Sequence, residues 1–217
     1  MRKVYDFTKQ ATIAIAFAAV SVVIANQSIR AETIIDEWAS VKAPRAPALK
    51  AVKVEPKTTA LLVLDLLRQS CNAERRPRCV ESLPKVEKLL VDARANNVTV
   101  VYSLTQSAKL EDTLKEVAPK GGEPSVTGPA DKFIGTDLEK MLKDKGITTV
   151  IIVGSAAHGA VLYTGSSAAM RGFEVIVPIE GMSAESAYAE QATAWLFTNA
   201  PTISTKVTLT KMDMISY

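Results

Sequence analysis

Short, uniformly apolar runs separated by stretches with a helical period limit this chain's fold more than any other feature. Thr59–Leu64 (TALLVL), 98–102 (VTVVY) and 149–153 (TVIIV) show no polar alternation, and 175–179 and 203–209 are weaker examples. A strand that is apolar on both sides has to be covered on both sides, which is the condition of a parallel sheet inside an α/β protein. The helical patterns fall in between, over 83–95, 110–117, 136–145, 159–171 and 184–198. This alternation predicts right-handed crossovers, a mainly parallel sheet and helices on both of its faces. Local signals refine the helices. Thr136 and Glu139 have the spacing of a capping box with Gly146 as the stop, Ser82 is placed to cap the helix after the first strand, and Gly172 to end the fourth.

The chain has 217 residues, 47% of them hydrophobic and 23% charged, which suits one packed core and excludes disorder as the main state. Its net charge of +3 comes from the beginning of the chain. Residues 1–31 hold Arg2, Lys3, Lys9 and Arg30 against Asp6, and taking these from 26 basic and 23 acidic residues leaves 22 of each. A balanced, interleaved surface argues against a nucleic-acid partner. Basic residues ahead of the uncharged run 11–25 (ATIAIAFAAVSVVIA), with small residues after it, have the layout of a signal peptide over 1–31. The run is shorter than the ~20 apolar residues that span a bilayer, so membrane contact is expected only through this segment. The expected location is periplasmic or secreted. Residues 41–57 carry three prolines and five basic residues without a period. Residues 32–57 therefore read as an extended linker and 58–217 as the folded domain.

In an oxidising compartment the two cysteines, Cys71 and Cys79, are expected to pair across the short charged loop CNAERRPRC, a closure that stabilises by about 2.5 kcal/mol. Two buried thiols, or a reactive Cys71 in a redox or assembly role, are the alternatives. With so few Cys and His residues, no zinc site is expected.

Ligands of open α/β sheets bind beyond the carboxyl ends of the strands. Asp65 directly follows LLVL, where a carboxyl group at the edge of an apolar core is suited to trading a proton; the alternative is a cap on the following turn. The strand 149–153 runs into Gly154-Ser155-Ala156-Ala157-His158-Gly159-Ala160, small residues that let a ligand reach backbone N–H groups at a helix start. Ser155, Ala156, His158 and Gly159 are therefore substrate-binding candidates. His158, the sole histidine, also reads as a residue hydrogen-bonded to backbone. Lys132, in GPADKFIGTDL, is placed to bring a cation toward Asp65 or to sit in solvent.

Four segments taken together resemble the isochorismatase-like hydrolase superfamily: ALLVLDLLRQSC, DKFIGTDLEKMLKDKGI, TVIIVGSAAHGAVLYT and RGFEVIVPIEGMSA, covering about 58–210. The resemblance implies a three-layer α/β/α fold around a six-stranded, mainly parallel sheet, and a homo-oligomer. It implies an Asp, a Lys and a Cys as the catalytic set of the family's cysteine hydrolases. The Asp falls on Asp65 and the Cys on Ala160, which has no nucleophile, so no acyl-enzyme forms there. The family's usual Lys position, about six residues before the Phe of F-x-G-T, holds Thr127, while Lys132 directly precedes Phe133. The metal-binding Asp/His set of nicotinamidases is missing after Asp65, so neither metal nor other cofactor is implied. Isochorismatases proper also lack the Cys: an Asp protonates an enol-ether carbon and water adds to the resulting cation. A non-proline cis peptide at Ser155–Ala156 is implied as well. The expected activity is hydrolysis of a small anionic substrate by Asp65 acid/base chemistry. The rival is an inactive binding protein that keeps the pocket.

Overall fold

The computed structural model describes residues 33–217, so the export signal expected over 1–31 lies outside the described residues. The described residues fall into two units, 33–43 and Pro44–Tyr217. The described part of the first carries one short helix, α1 (Ile34–Glu37), opened by Thr33, whose N–H and hydroxyl both donate to the Asp36 carboxylate. The second unit contains, in chain order, β1 (Val52–Lys53), β2 (Thr59–Leu64), α2 (Pro77–Ala95), β3 (Thr99–Leu104), β4 (Ser125–Thr127), α3 (Leu138–Asp144), β5 (Thr149–Ser155), α4 (Leu162–Met170), β6 (Glu174–Pro178), β7 (Met182–Ser183), α5 (Ala187–Asn199), β8 (Val207–Thr210) and β9 (Ile215–Ser216). Among the described residues no helix is long and apolar enough to cross a membrane.

The main sheet runs β4-β3-β2-β5-β6-β8, with every pairing parallel, and the two-residue β7 adds a seventh strand beside the end of β5. The expected six-stranded sheet is therefore present, with β7 as an addition too short to leave a period in the sequence. All six residues of β2 are buried, and alternate side chains enter different cores. Leu62 and Leu64 pack with Ile152, Leu138, Leu142, Ala168 and Phe197 beneath α3, α4 and α5. Leu61 and Val63 pack with Ile151, Val86, Leu90 and Met212 beneath α2. Helices on both faces explain why these strands read as unbroken apolar runs. Burying each such side chain contributes roughly 1.5–3 kcal/mol.

Several local expectations are corrected. Residues 110–117 form two separate 3₁₀ turns, Leu110–Asp112 and Lys115–Val117. The backbone between them is extended, because Thr113 bridges Leu67 and the Leu114 N–H donates to Leu66 O at 3.0 Å. Ser82 lies within α2, which starts at Pro77, a residue preset for a first helical position. Glu139 closes no capping box and instead pairs with Lys143 and Arg171, while the Thr136 hydroxyl accepts from the Leu138 N–H at 3.2 Å. The short edge strand β4 was not expected, as only Val126 of its three residues is buried.

The boundary of the folded domain also moves. The segment 44–57 has little regular structure besides β1 and the 3₁₀ turn that begins at Pro56, yet it belongs to the same unit as the sheet and is not a free tether. Lys50 N–H donates to Leu209 O at 3.0 Å, β1 pairs in parallel with β9, and Val54 enters the core beside α2. Lacking a partner of its own in sequence, such a piece shows a period of neither kind.

Candidate active site

The carboxyl ends of β2, β3 and β5 lie side by side, with Leu64 paired to Ser103 on one side and to Gly154 on the other. A Cβ on Gly154 would lie 2.2 Å from Leu64 O, and its φ is 153°, so the two strand ends approach this closely only because the residue is glycine. The chain leaves β2 through Asp65, whose φ of 51° is in the left-handed region that Asp tolerates better than most residues. That turn aims the carboxylate back across the sheet edge.

Asp65 is 5% exposed and Lys132 is fully buried. Lys132 Nζ lies 2.8 Å from Asp65 Oδ2, and Ser103 Oγ donates to Asp65 Oδ1 at 2.7 Å. The ammonium also donates to Leu104 O and Gly128 O, both at 3.2 Å. All three of its protons are thus used, and two buried charges are paired and hydrogen-bonded, the condition under which they are tolerated. The Lys132 backbone is held at both sides: its N–H donates to Thr164 Oγ1 on α4, and its carbonyl accepts from Thr136 Oγ1. Thr127, in the family's usual Lys position, is exposed. Lys132, and not Thr127, is the residue that the path of 128–132 brings to Asp65.

These side chains open on a cavity of about 350 Å³ whose lining includes Asp65, Lys132, Ser155, Ala156 and Ala160. Five residues anticipated from sequence thus come together at one place. His158 and Gly159 are not among its lining residues. His158 is exposed, and the Gly159 N–H is used by Ala156 O at 3.0 Å. The reason lies in Ala157–Val161, which winds as a wide turn with Gly159 at φ −121° and ψ −107°, outside helical geometry. Of this stretch the cavity is lined by Ala156 and Ala160, on either side of 157–159. The Ser155–Ala156 peptide is cis.

Sequence reasoning missed the cavity's two arginines, Arg75 and Arg76. Both lie in the loop closed by the Cys71–Cys79 bridge, whose Cα atoms are 5.4 Å apart and whose two cysteines are buried among the side chains beneath α2. The bridge is an internal brace, and the chain's two cysteines are both consumed by it. Arg76 is 6% exposed. Its Nη1 donates to Ser70 O at 2.8 Å and Ser155 Oγ at 3.3 Å, and its Nη2 to Glu185 Oε1 at 2.5 Å. The Nε–H is buried without a partner, a condition that costs about 1–3 kcal/mol. The Arg76 hydrogen bond is the main cause that holds the Glu185 carboxyl below its ordinary value. The one available signal was the unusual RR pair inside a nine-residue loop otherwise explained by its cysteines.

A larger cavity, about 850 Å³, lies between 44–49 and α5. Its lining is mainly apolar, and its Arg78 and Glu190 are bound to each other at 2.5 Å. Among the described residues no three His, Cys, Asp or Glu side chains gather in a metal-binding arrangement.

Comparison with known proteins places these features in context. Residues 59–207 match the isochorismatase domain family. The chain is 30% identical over 131 residues to the secreted isochorismatase effector Isc1 of Verticillium dahliae, covering 55% of this chain and 69% of that protein. It is 28% identical over 160 residues to the uncharacterized isochorismatase family protein YecD of Escherichia coli O157:H7, covering 63% and 85%. Among solved structures, an isochorismatase-like hydrolase from Alkaliphilus metalliredigens superposes with a TM-score of 0.65 at 22% identity over 72% of this chain and 95% of that one.

Proposed function

The chain belongs to the isochorismatase family of hydrolases, and we propose that it is exported and hydrolyses a small anionic substrate by proton exchange at Asp65, without a cysteine nucleophile. The observation that carries this reading is the Asp65 carboxylate, buried 2.8 Å from the Lys132 ammonium, at the wall of a cavity where Ala160 offers only a methyl group. The pair holds a transferable proton. Asp65 passes it to the carbon of an enol ether, water adds to the cation so formed, and the proton lost by that water returns to Asp65 as the adduct collapses to a carbonyl compound and an alcohol. No covalent bond to the protein is needed. Export is supported by the oxidised Cys71–Cys79 bridge and by the secreted relative.

Turnover of a panel of small carboxylate-bearing enol ethers, esters and amides, with isochorismate included because the family carries its name, tests the reading. Asp65→Asn is expected to lower turnover by about 10²–10⁴-fold with the circular dichroism of the fold retained. Unchanged turnover in that variant would overturn the mechanism. The alanine at position 160 also favours a second reading, a binding protein that keeps the pocket. Saturable binding of panel members with no turnover of any of them would select it.

A further inference from the structure

The Asp65 cavity holds cationic groups whose charge the catalytic pair does not use. Lys132 directs its three protons to Asp65, Leu104 O and Gly128 O, so its ammonium neutralises Asp65 and has no donor left for a ligand. The other cations on the cavity wall are Arg75 and Arg76, and the acid that faces them is Glu185, at 3.5 Å from Arg75 and 2.5 Å from Arg76. Two guanidinium groups against one carboxylate leave the wall with a surplus of one positive charge. Arg76 is also the incompletely satisfied one, since its Nε–H is buried and unpartnered while its Nη groups are held by Ser70, Ser155 and Glu185.

From this we infer that Arg76 is the residue that recognises the anionic group of the substrate, a carboxylate, and that the Cys71–Cys79 loop exists to hold it there. This deepens the function proposed above and rests on that reading of the cavity. A carboxylate matches the planar Nε–Nη edge of a guanidinium with two parallel hydrogen bonds, and the Nε–H of Arg76 is the donor on that edge left without a partner. The reacting bond then lies between the anion-binding wall and Asp65. The covalent ring from Cys71 to Cys79 encloses Arg75 and Arg76. Ser70, just before the ring, ties the two walls: its hydroxyl donates to Asp65 O and its carbonyl accepts from Arg76 Nη1. The arginine is thereby placed relative to the acid by a short, closed path, which lowers the ordering cost of binding.

Calorimetric titration of the whole protein with benzoate and with pyruvate, and with neutral benzamide as the control, tests the inference. The unaltered protein is expected to bind at least one of the two carboxylates saturably. Arg76→Gln should weaken that binding by about 10–100-fold, the loss of a charge-assisted pair, while benzamide affinity stays the same. Arg76→Lys, which keeps the charge without the planar edge, should recover only part of it. Cys71→Ala/Cys79→Ala should also weaken carboxylate binding in a chain whose circular dichroism shows it folded, and undiminished binding there would remove the loop's role. Equal carboxylate affinity in Arg76→Gln and the unaltered protein, or no saturable binding of either carboxylate by the latter, would overturn the inference. The Asp65 reading is judged separately, by the turnover of Asp65→Asn, whereas this inference is judged by the carboxylate affinity of Arg76→Gln in a chain that keeps Asp65 and Lys132.

Discussion

Asp65 and Lys132 show how much a single side chain depends on its partner. A buried carboxylate and a buried ammonium, 2.8 Å apart, each cost free energy to remove from water, and each makes the other tolerable. Lys132→Met is expected to lower stability by about 3–5 kcal/mol, because it strands the Asp65 charge. The double variant Asp65→Asn/Lys132→Met should regain much of that loss, since no unpaired charge is left. Urea unfolding of Lys132→Met, Asp65→Asn, the double variant and the unaltered protein measures the coupling. Additive losses would mean that the two side chains are stabilised independently, contrary to the geometry described here. Asp65 was found in the sequence because it ends an apolar run. Lys132 was named as well, but its spacing from Phe133 said nothing about depth, and only the path of 128–132 took it to full burial.

At the scale of elements, the joint between β2 and β5 decides whether the site exists at all. Its closeness depends on Gly154, whose missing Cβ leaves room for Leu64 O. Gly154→Ala is expected to cost about 3 kcal/mol or more, because the added methyl meets backbone and the residue must keep a φ of 153°. The midpoint of urea unfolding reports this directly, and a variant as stable as the parent would show that the strands part easily. The long buried strands and the ends of α3 and α4 were readable in advance, since apolar runs and Gly146 or Gly172 mark them locally. The 3₁₀ turns of 110–117 and the early start of α2 were not. Those shapes come from hydrogen bonds to Leu66 and from closure of the Cys71 loop, neither of which is local.

For the molecule as a whole, charge pairs tie separate elements together across its surface, and their acids set its response to pH. Arg76 is the leading cause that lowers Glu185, Lys143 and then Arg171 lower Glu139, and the Lys109 backbone and then Arg68 lower Asp112. A carboxyl whose folded value lies below its unfolded one contributes stability above the unfolded value and loses it as pH falls through the folded one. The ordinary values here are 4.5 for Glu and 3.8 for Asp. Stability should therefore be nearly level from pH 7 to about 5 and decline progressively below about 4.5. Thermal unfolding across that range checks it, and a protein that grows more stable on acidification through pH 4 would contradict the pairing.

By itself the amino-acid sequence determined the layering of this protein, its parallel sheet and the position of Asp65 at the end of a strand. These follow from which side chains must leave water, and that requirement is written locally as a period. The tertiary structure alone decided that Lys132 meets Asp65, that Arg76 swings into the same hollow from a disulfide-closed loop, that His158 stays outside it, and that 44–57 joins the fold. Each of these depends on contacts between residues far apart along the chain, and hydrophobic periodicity carries no information about which distant loops will share a cavity.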